Sequence, residues 1–447
     1  MIARRPAGPP LLWGRGLDSP GITRLIAALG AVAALVFTGW LVRDAHATMP
    51  LFDLGAYRVA GERVLGGGSL YGSPLVGTTR GVFEFVYTPF AALLFAPLAV
   101  LPAWALLPVA LVVGVGLLIG VVWLSLIGLG QPPSRRLLAL CLGLSGLLLW
   151  CEPVWETVTF GQVNLLLAVL VLADLGRDKS AWGRGALIGV AAGIKLTPAF
   201  FVVYLLVTRQ FRAAAAAVGA FLATALVGAV TLPGDSRVFW AGAFADPARV
   251  GVPDHPGNQS LRGLIARVLG MGSAAQLLWL VSAAALAAAG LWLAARFTAS
   301  GRELTAAVLC GLTAVVVSPF SWVHHWVWFV PLLIVLLDRA LPRRGRSAWS
   351  AWLACGVAAA VGCHWFFAWF AGVAPSVGGP VGAVLLAGYQ NAYVWLTLAL
   401  LAAAAWLPGR WRRAPAVDAA PAVDAVDAVD AADSTAPHIP SYRRTHV

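Results

Sequence analysis

Long apolar runs separated by arginine-rich turns decide the fold class of this chain. A helix needs about 20 apolar residues to cross the ~30 Å hydrocarbon core of a bilayer, and the sequence offers about a dozen such stretches. Of its 447 residues, 60% are hydrophobic and only 11% charged, with a mean hydropathy of +0.83. A soluble domain could not solvate its surface with that composition. The expected fold is therefore an all-α polytopic membrane protein. Arginines cluster at Arg4/Arg5, Arg135/Arg136, Arg177–Arg184, Arg209/Arg212, Arg339–Arg346 and Arg410–Arg413. The positive-inside rule makes that side cytoplasmic. Topology and anionic headgroups explain the net charge of +12 better than nucleic acid does, so no nucleic-acid partner is expected.

The first apolar run, 24–42, leads outward. Ala45-His46-Ala47 resembles a signal-peptidase site. The run exceeds the about 7–15 residues of a signal h-region, which favours a retained anchor. Residues 43–85 form a first external segment. Residues 86–101, bounded by Pro89, Pro97 and Pro102, read as a short or re-entrant helix. Then 103–129 returns, 137–151 goes out and 162–175 comes back. Residues 184–207 are basic at both ends, so a single crossing would strand one basic flank outside. Two half-helices turning at Lys195-Leu196-Thr197-Pro198 keep both inside, and Pro198 disfavours helix there. Such a break is tolerated only where it is buried in protein or lines a cavity. Residues 213–232 go out, 233–275 form a second external segment, and 276–297, 304–318, 323–338, 348–372 and 384–407 complete the bundle. This divides the chain into a cytoplasmic N-terminus (1–23), a membrane domain (24–408) and a low-complexity Ala-Val-Asp tail (409–447) expected to be disordered.

The turns away from the arginines hold the residues able to do chemistry. Asp53 could deprotonate a hydroxyl at the membrane surface or cap the helix that follows it. Tyr87 reads as an interfacial anchor or as a contact for a sugar or phosphate. Glu152 and Glu156 are four apart, on one face of a helix. Gln162 and Asn164 suit either interhelical hydrogen bonds or sugar hydroxyls. Lys195 stands inside an apolar segment, at a cost of about 2.5–3.5 kcal/mol, and is a functional candidate by default. Its partner would be a phosphate, or else Glu152 or Glu156 in a structural ion pair. His324 and His325 could shuttle protons or bind phosphate. Adjacent residues on a helix point about 100° apart, which disfavours a shared metal. Asn258, Gln259 and Arg262 lie in the second external segment and could bind a phosphate or sugar headgroup; Asn258-Gln259-Ser260 also matches the glycosylation sequon formally. The five cysteines show no metal spacing, and their odd number argues against a full disulfide framework. Cys355 and Cys363 share a span and read as packing residues.

Six segments in this order resemble glycosyltransferase family 87, a family of GT-C-fold enzymes. They are Asp53-Leu54-Gly55-Ala56-Tyr57 with Leu70-Tyr71; Tyr87-Thr88-Pro89-Phe90; Gly161-Gln162-Val163-Asn164; Gly193-Ile194-Lys195-Leu196-Thr197-Pro198; Asn258-Gln259-Ser260-Leu261; and Ser318-Pro319-Phe320-Ser321-Trp322-Val323-His324-His325. The resemblance implies a GT-C fold with about 12 transmembrane helices and two larger extracytoplasmic segments. It implies inverting α-1,2 transfer of mannose from polyprenyl-phosphate-mannose to a lipid-linked mannoside, at the outer face of the plasma membrane. Asp53 would then be the general base. Lys195, Arg262, His324 and His325 would hold the donor phosphate. Tyr57, Tyr87, Glu152, Glu156, Gln162, Asn164, Asn258 and Gln259 would bind sugar or acceptor. No Asp-Asp or Asp-x-Asp occurs here, so neither a metal nor another cofactor is expected. Two rivals remain: the same fold with another lipid-linked sugar, such as arabinose or glucose, and a lipid or glycan transporter. Broken helices suit a transporter, whereas two long external segments over a one-sided polar set favour an enzyme.

Overall fold

The computed structural model describes residues 19–44, 51–78, 81–246, 249–341, 346–366 and 377–406. Arg4/Arg5, Ala45-His46-Ala47, Arg343/Arg344, Arg410–Arg413 and the 409–447 tail lie outside the described residues. Helix α1 (Pro20–Asp44) is followed by α2 (Phe52–Gly66), a small hairpin of β1 (Val76–Thr78) and β2 (Gly81–Phe83), and α3 (Pro89–Ala99). The hairpin is antiparallel, with Val76 opposite Phe83 and Thr78 opposite Gly81. Next come α4 (Ala103–Gly128), α5 (Arg135–Leu148), α6 (Glu152–Phe160), α7 (Asn164–Leu175), α8 (Ala186–Ile194), α9 (Phe200–Val207) and α10 (Phe211–Thr231). Then follow α11 (Pro233–Trp240), α12 (Leu261–Leu269), α13 (Ser273–Ala299), α14 (Glu303–Val317), α15 (Phe329–Ala340), α16 (Arg346–Val361), α17 (Gly379–Tyr389) and α18 (Ala392–Trp406).

Four helices are long and apolar enough to cross a bilayer among the described residues: Pro20–Arg43, Ala103–Gly128, Phe211–Thr231 and Ser273–Ala299. Two bent pairs, α6 with α7 at 116° and α17 with α18 at 69°, bring the number to six if each pair is one span. Other apolar runs fold as shorter helices, among them Pro89–Ala99, Thr197–Val207 and Glu303–Val317. Pro89 opens α3, and polar turn residues end several others, which is why apolar runs that read as crossings become shorter pieces. The long helices turn large apolar side chains outward, such as Leu35 at 73% exposure and Val230 at 72%. That surface would be intolerable in water and suits lipid. In the middle, α14 is buried from Leu304 to Val316.

Helix directions follow from which residues meet. On α1 and α5, Arg136 Nε donates to Thr23 Oγ1 and Trp150 Nε1 donates to Ala33 O, both at 3.1 Å. Gly143 packs on Ala27 between those points, and Gly146 on Gly30. Numbers rise together, so the two helices run parallel, both leaving the basic face. Glycines let their backbones touch, as small residues do in membrane interfaces.

The same reasoning resolves residues 184–207. Gly185 faces Ala213, Gly189 faces Ala217 and Gly193 faces Thr224, so α8 and α10 run parallel. The intervening α9 must therefore run back. Its Tyr204 hydroxyl donates to Glu303 Oε1 at 3.1 Å, and Arg184, just before α8, donates to the same oxygen at 3.1 Å. Both ends of the α8–α9 unit thus meet at the foot of α14, and the expected re-entrant hairpin is present. At its start, Asp174 accepts from Gly185 N (2.8 Å) and Ile188 N (3.0 Å), which caps α8 and complements its dipole. At its tip, Lys195 leaves the helix with φ −143° and ψ 133°.

The α1–α5 contact generates a prediction. A Cβ on Gly143 would lie 2.6 Å from the Ile26 carbonyl oxygen, whereas one on Gly39 would meet nothing within 4 Å. Gly143→Leu should destabilise by about 1–3 kcal/mol through overpacking, seen as a lower melting temperature in detergent. Gly39→Leu should leave that temperature unchanged; equal losses in both variants would refute the packing argument.

Candidate active site

Chain breaks, rather than helix interiors, supply the polar cluster. Leu51, in the left-handed conformation (φ 62°), turns the chain into α2. Its N–H donates to Thr159 O at 2.6 Å, which fixes the turn against α6. Leu51 occupies the N-cap position and Asp53 falls in the first turn. The capping alternative for Asp53 is thereby replaced: its carboxylate faces the cluster, where the helix N-terminus favours an anion. The bend between α6 and α7 presents Gln162 and Asn164, the hairpin tip presents Lys195, and the turn between α14 and α15 presents His324 and His325.

These groups form one hydrogen-bonded network. Tyr57 and Tyr87 each donate to Gln162 Oε1, at 2.9 and 3.0 Å, and their hydroxyls lie 2.6 Å apart. Asn164 Nδ2 reaches the same oxygen at 3.4 Å, while Gln162 also hydrogen-bonds the Asp53 side chain. Lys195 Nζ donates to Asn164 Oδ1 at 3.1 Å and to His325 Nε2 at 2.9 Å, and it lies 5.3 Å from the centre of the Tyr87 ring. An ammonium only donates, so His325 Nε2 is the acceptor and carries no proton. His324 Nδ1 and Glu156 Oε2 are 3.4 Å apart. Tyr57, Tyr87, Gln162, Asn164 and His324 are buried, whereas Asp53, Glu156, Lys195 and His325 are half-buried. The half-buried members comprise two carboxylates, an ammonium and an imidazole, a set able to take a proton and to hold an anion.

A second layer fixes Tyr87. The Tyr71 hydroxyl donates to Tyr87 O at 2.7 Å. Arg249 donates to Tyr71 O at 3.2 Å and pairs with Glu84 at 2.8 Å. Thr88 caps α3 by accepting from Ala91 N at 3.1 Å, and its hydroxyl donates to Gly193 O, tying the Tyr87 segment to the hairpin tip.

Four expected site residues lie elsewhere or face other partners. Glu152 turns to His364 rather than to the Asp53 cluster. With Glu156 on His324, neither glutamate forms an ion pair with Lys195, and the structural-pair alternative for Lys195 gives way to Asn164 and His325. Asn258 and Gln259 are fully buried. Asn258 donates to Pro253 O and Pro319 O and accepts from Ser321 N; Gln259 donates to Pro256 O and Gln390 O and accepts from Tyr393 N. Asn258 staples the second external segment to the histidine turn, and Gln259 staples it to the α17–α18 junction. Arg262 stacks on Trp279 (5.3 Å) and Phe320 (5.5 Å) beside that turn. Sequence reasoning passed over Arg249 and His364. A lone histidine within the apolar run 348–372 was the available signal for His364; Arg249 had none, since its partners are remote in the chain. Among the described residues, no three His, Cys, Asp or Glu side chains are grouped to hold a metal ion.

Comparison with known proteins gives a consistent picture. The family model for glycosyltransferase family 87 matches residues 85–319. A polyprenol-phosphate-mannose-dependent α-(1-2)-phosphatidylinositol mannoside mannosyltransferase of Mycolicibacterium smegmatis is 31% identical over 374 residues, covering 78% of this chain and 82% of the relative. The protein of the same name from Mycobacterium tuberculosis is 32% identical over 300 residues, covering 64% of this chain and 69% of the relative. A polyprenol-phosphate-mannose-dependent α-(1-2)-phosphatidylinositol pentamannoside mannosyltransferase of M. smegmatis is 34% identical over 306 residues, covering 68% and 73%. No solved structure matches.

Burial pushes the Asp53 carboxyl above the usual carboxylate range. His324, the Gln162 hydrogen bond and Lys195 pull it back only in part, and Glu156 adds to the rise. A raised acid pKa means that folding disfavours the ionised form. The stability cost is therefore present above the folded-state pKa and disappears as pH falls through it. Asp53→Asn should raise the melting temperature by a few degrees at neutral pH, and the gain should shrink in acid. An Asn variant that melts lower than the parent at neutral pH would contradict this balance of terms.

Proposed function

The chain belongs to glycosyltransferase family 87, and we propose that it moves mannose from polyprenyl-phosphate-mannose to a lipid-linked mannoside, forming an α-1,2 linkage at the extracytoplasmic face of the plasma membrane. One observation carries this reading. A half-buried carboxylate with a raised pKa, Asp53, shares one cluster with the Lys195 ammonium and the His324 and His325 imidazoles, joined to it through Gln162 and Asn164.

In the proposed reaction the acceptor hydroxyl oxygen attacks the anomeric carbon of the donor while Asp53 takes its proton. The bond from that carbon to the phosphate oxygen breaks on the opposite side, so configuration inverts. Negative charge then collects on the polyprenyl phosphate, where Lys195 and His324 are fixed in advance, with His325 holding the Lys195 ammonium in place. Preorganised donors of this kind lower the barrier most where charge develops. Arg262, on its aromatic bed beside the histidine turn, supplies an outer cation for the same phosphate. Tyr57, Tyr87, Gln162, Asn164 and Glu156 are placed to meet sugar hydroxyls, with Glu152, Asn258 and Gln259 holding the walls. Pro89, Phe90, Phe221, Ala225, Gly228 and Trp240 make an apolar packing contact beside Gly193 and Thr88, next to the hairpin tip. The location of the arginine clusters supports an outward-facing site.

Purified enzyme given polyprenyl-phosphate-mannose and a phosphatidylinositol mannoside should release polyprenyl phosphate and extend the acceptor by an α-1,2-mannose. Asp53→Asn should lower kcat by about 10²–10⁴, and Lys195→Met by about 10²–10³, with both variants still folded. Undiminished turnover in Asp53→Asn would remove the base assignment. Transfer only from a different lipid-linked sugar would remove the donor assignment.

A further inference from the structure

Beside the candidate site, two chain segments far apart in sequence pair as a short antiparallel bridge centred on Cys151 and Cys363. Glu152 N donates to Gly362 O at 2.6 Å, and His364 N donates to Trp150 O at 3.0 Å. Those bonds flank the two cysteines and leave them directly opposite as a non-hydrogen-bonded pair. In such a pair the Cα atoms stand about 4.5 Å apart and the side chains leave on the same face. A disulfide accepts Cα separations of about 4.4–6.8 Å. Cys355, which shares a span with Cys363, fails this test: eight residues of helical rise place it roughly 12 Å away. Both cysteines of the bridge stand as thiols here. Cys151 is buried, whereas Cys363 is half-exposed and open to attack.

We propose that Cys151 and Cys363 form a disulfide bond in the mature protein. This rests on the reading that the site faces the extracytoplasmic space, where disulfides form and persist. The oxidant is a disulfide-bearing thiol oxidoreductase of that compartment. The Cys363 thiolate opens its disulfide, the Cys151 thiolate then attacks the mixed disulfide, and the oxidoreductase leaves as a dithiol. One sulfur–sulfur bond forms here as one is reduced there, and the two protons lost by the Cys363 and Cys151 thiols are matched by the two that the departing dithiol takes up.

The bond would act on the site through α6. Cys151 immediately precedes Glu152, whose carboxylate bonds His364, and Trp155 stacks on the His364 ring with centroids 3.7 Å apart. One turn further on, Glu156 meets His324. A covalent tie at Cys151 therefore fixes the helix that carries Glu156 into the reaction cluster.

The test uses the full chain, acid-quenched from native membranes, denatured and alkylated with a maleimide, followed by intact and peptide mass analysis. Of the five cysteines, three should label without reductant and all five after it, with one linked peptide joining Cys151 to Cys363. Cys151→Ser should free Cys363, so that its four remaining cysteines all label. Reductant should lower the melting temperature of the parent but not of the Cys151→Ser/Cys363→Ser variant. Labelling of all five without reductant would overturn the proposal. Treating membranes with diamide then separates the causes. Closure of the pair under diamide would mean that the register stands and the outward-facing reading fails. A pair that stays open, or a link from Cys363 to Cys355, would mean that the pairing itself is wrong.

Discussion

An ammonium held within an apolar segment must be satisfied by the protein around it, and the architecture is arranged about that requirement. Lys195 cannot sit on a continuous helix facing lipid without a penalty of about 2.5–3.5 kcal/mol. The chain breaks there instead, and the two halves return as a hairpin. The freed backbone is covered: Lys195 N still bonds Ala191 O at 3.0 Å, and Gly193 O receives the Thr88 hydroxyl. The ammonium itself finds Asn164 and His325. Each of those partners lies at another chain break, one at the α6–α7 bend and one at the turn after α14. Satisfying one charge thus brings three interruptions to a single point.

The network that results is balanced rather than neutralised pair by pair. Lys195 has no carboxylate within hydrogen-bonding distance, and its direct partners are neutral acceptors. Asp53 is attracted by Lys195 and His324 yet loses more to burial than it gains from them. Tyr57, Tyr87 and Asn164 all aim a donor at one amide oxygen, Gln162 Oε1. Fully satisfied buried networks of this type rigidify their surroundings.

Much of this was readable in the chain because membranes punish polar residues. A lysine in the run 184–207, followed by Thr197-Pro198 and flanked by arginines at both ends, has few physical interpretations, and the hairpin follows from them. The apolar stretch 86–101 with its prolines became the short helix Pro89–Ala99 for the same reason. Where several partners were chemically equivalent, the sequence was mute. Glu152 and Glu156 share a helical face by spacing, but their carboxylates diverge to His364 and His324, which arrive from segments more than 150 residues away. Asn258 and Gln259 look like ligands because they are polar and external. Their carbonyl partners on Pro253, Pro319 and Gln390 are backbone atoms, which no residue identity advertises. Cys363 shares a span with Cys355 in sequence, yet an antiparallel contact between distant segments sets its real neighbour.

The hairpin has a mechanical character. Its base is clamped where Arg184, Lys179 and Tyr204 converge on Glu303, and its free end bears Lys195. Nine residues of α8 at about 1.5 Å each make an arm of roughly 14 Å. It is a cantilever, loaded at the tip by the charge it carries. A tilt of about 5° at the clamp would carry the ammonium about 1 Å from its place, a misplacement that can cost about 10²-fold in rate. The positional accuracy of the Lys195 ammonium is therefore set at the far, arginine-bearing end of the hairpin, by the carboxylate of Glu303.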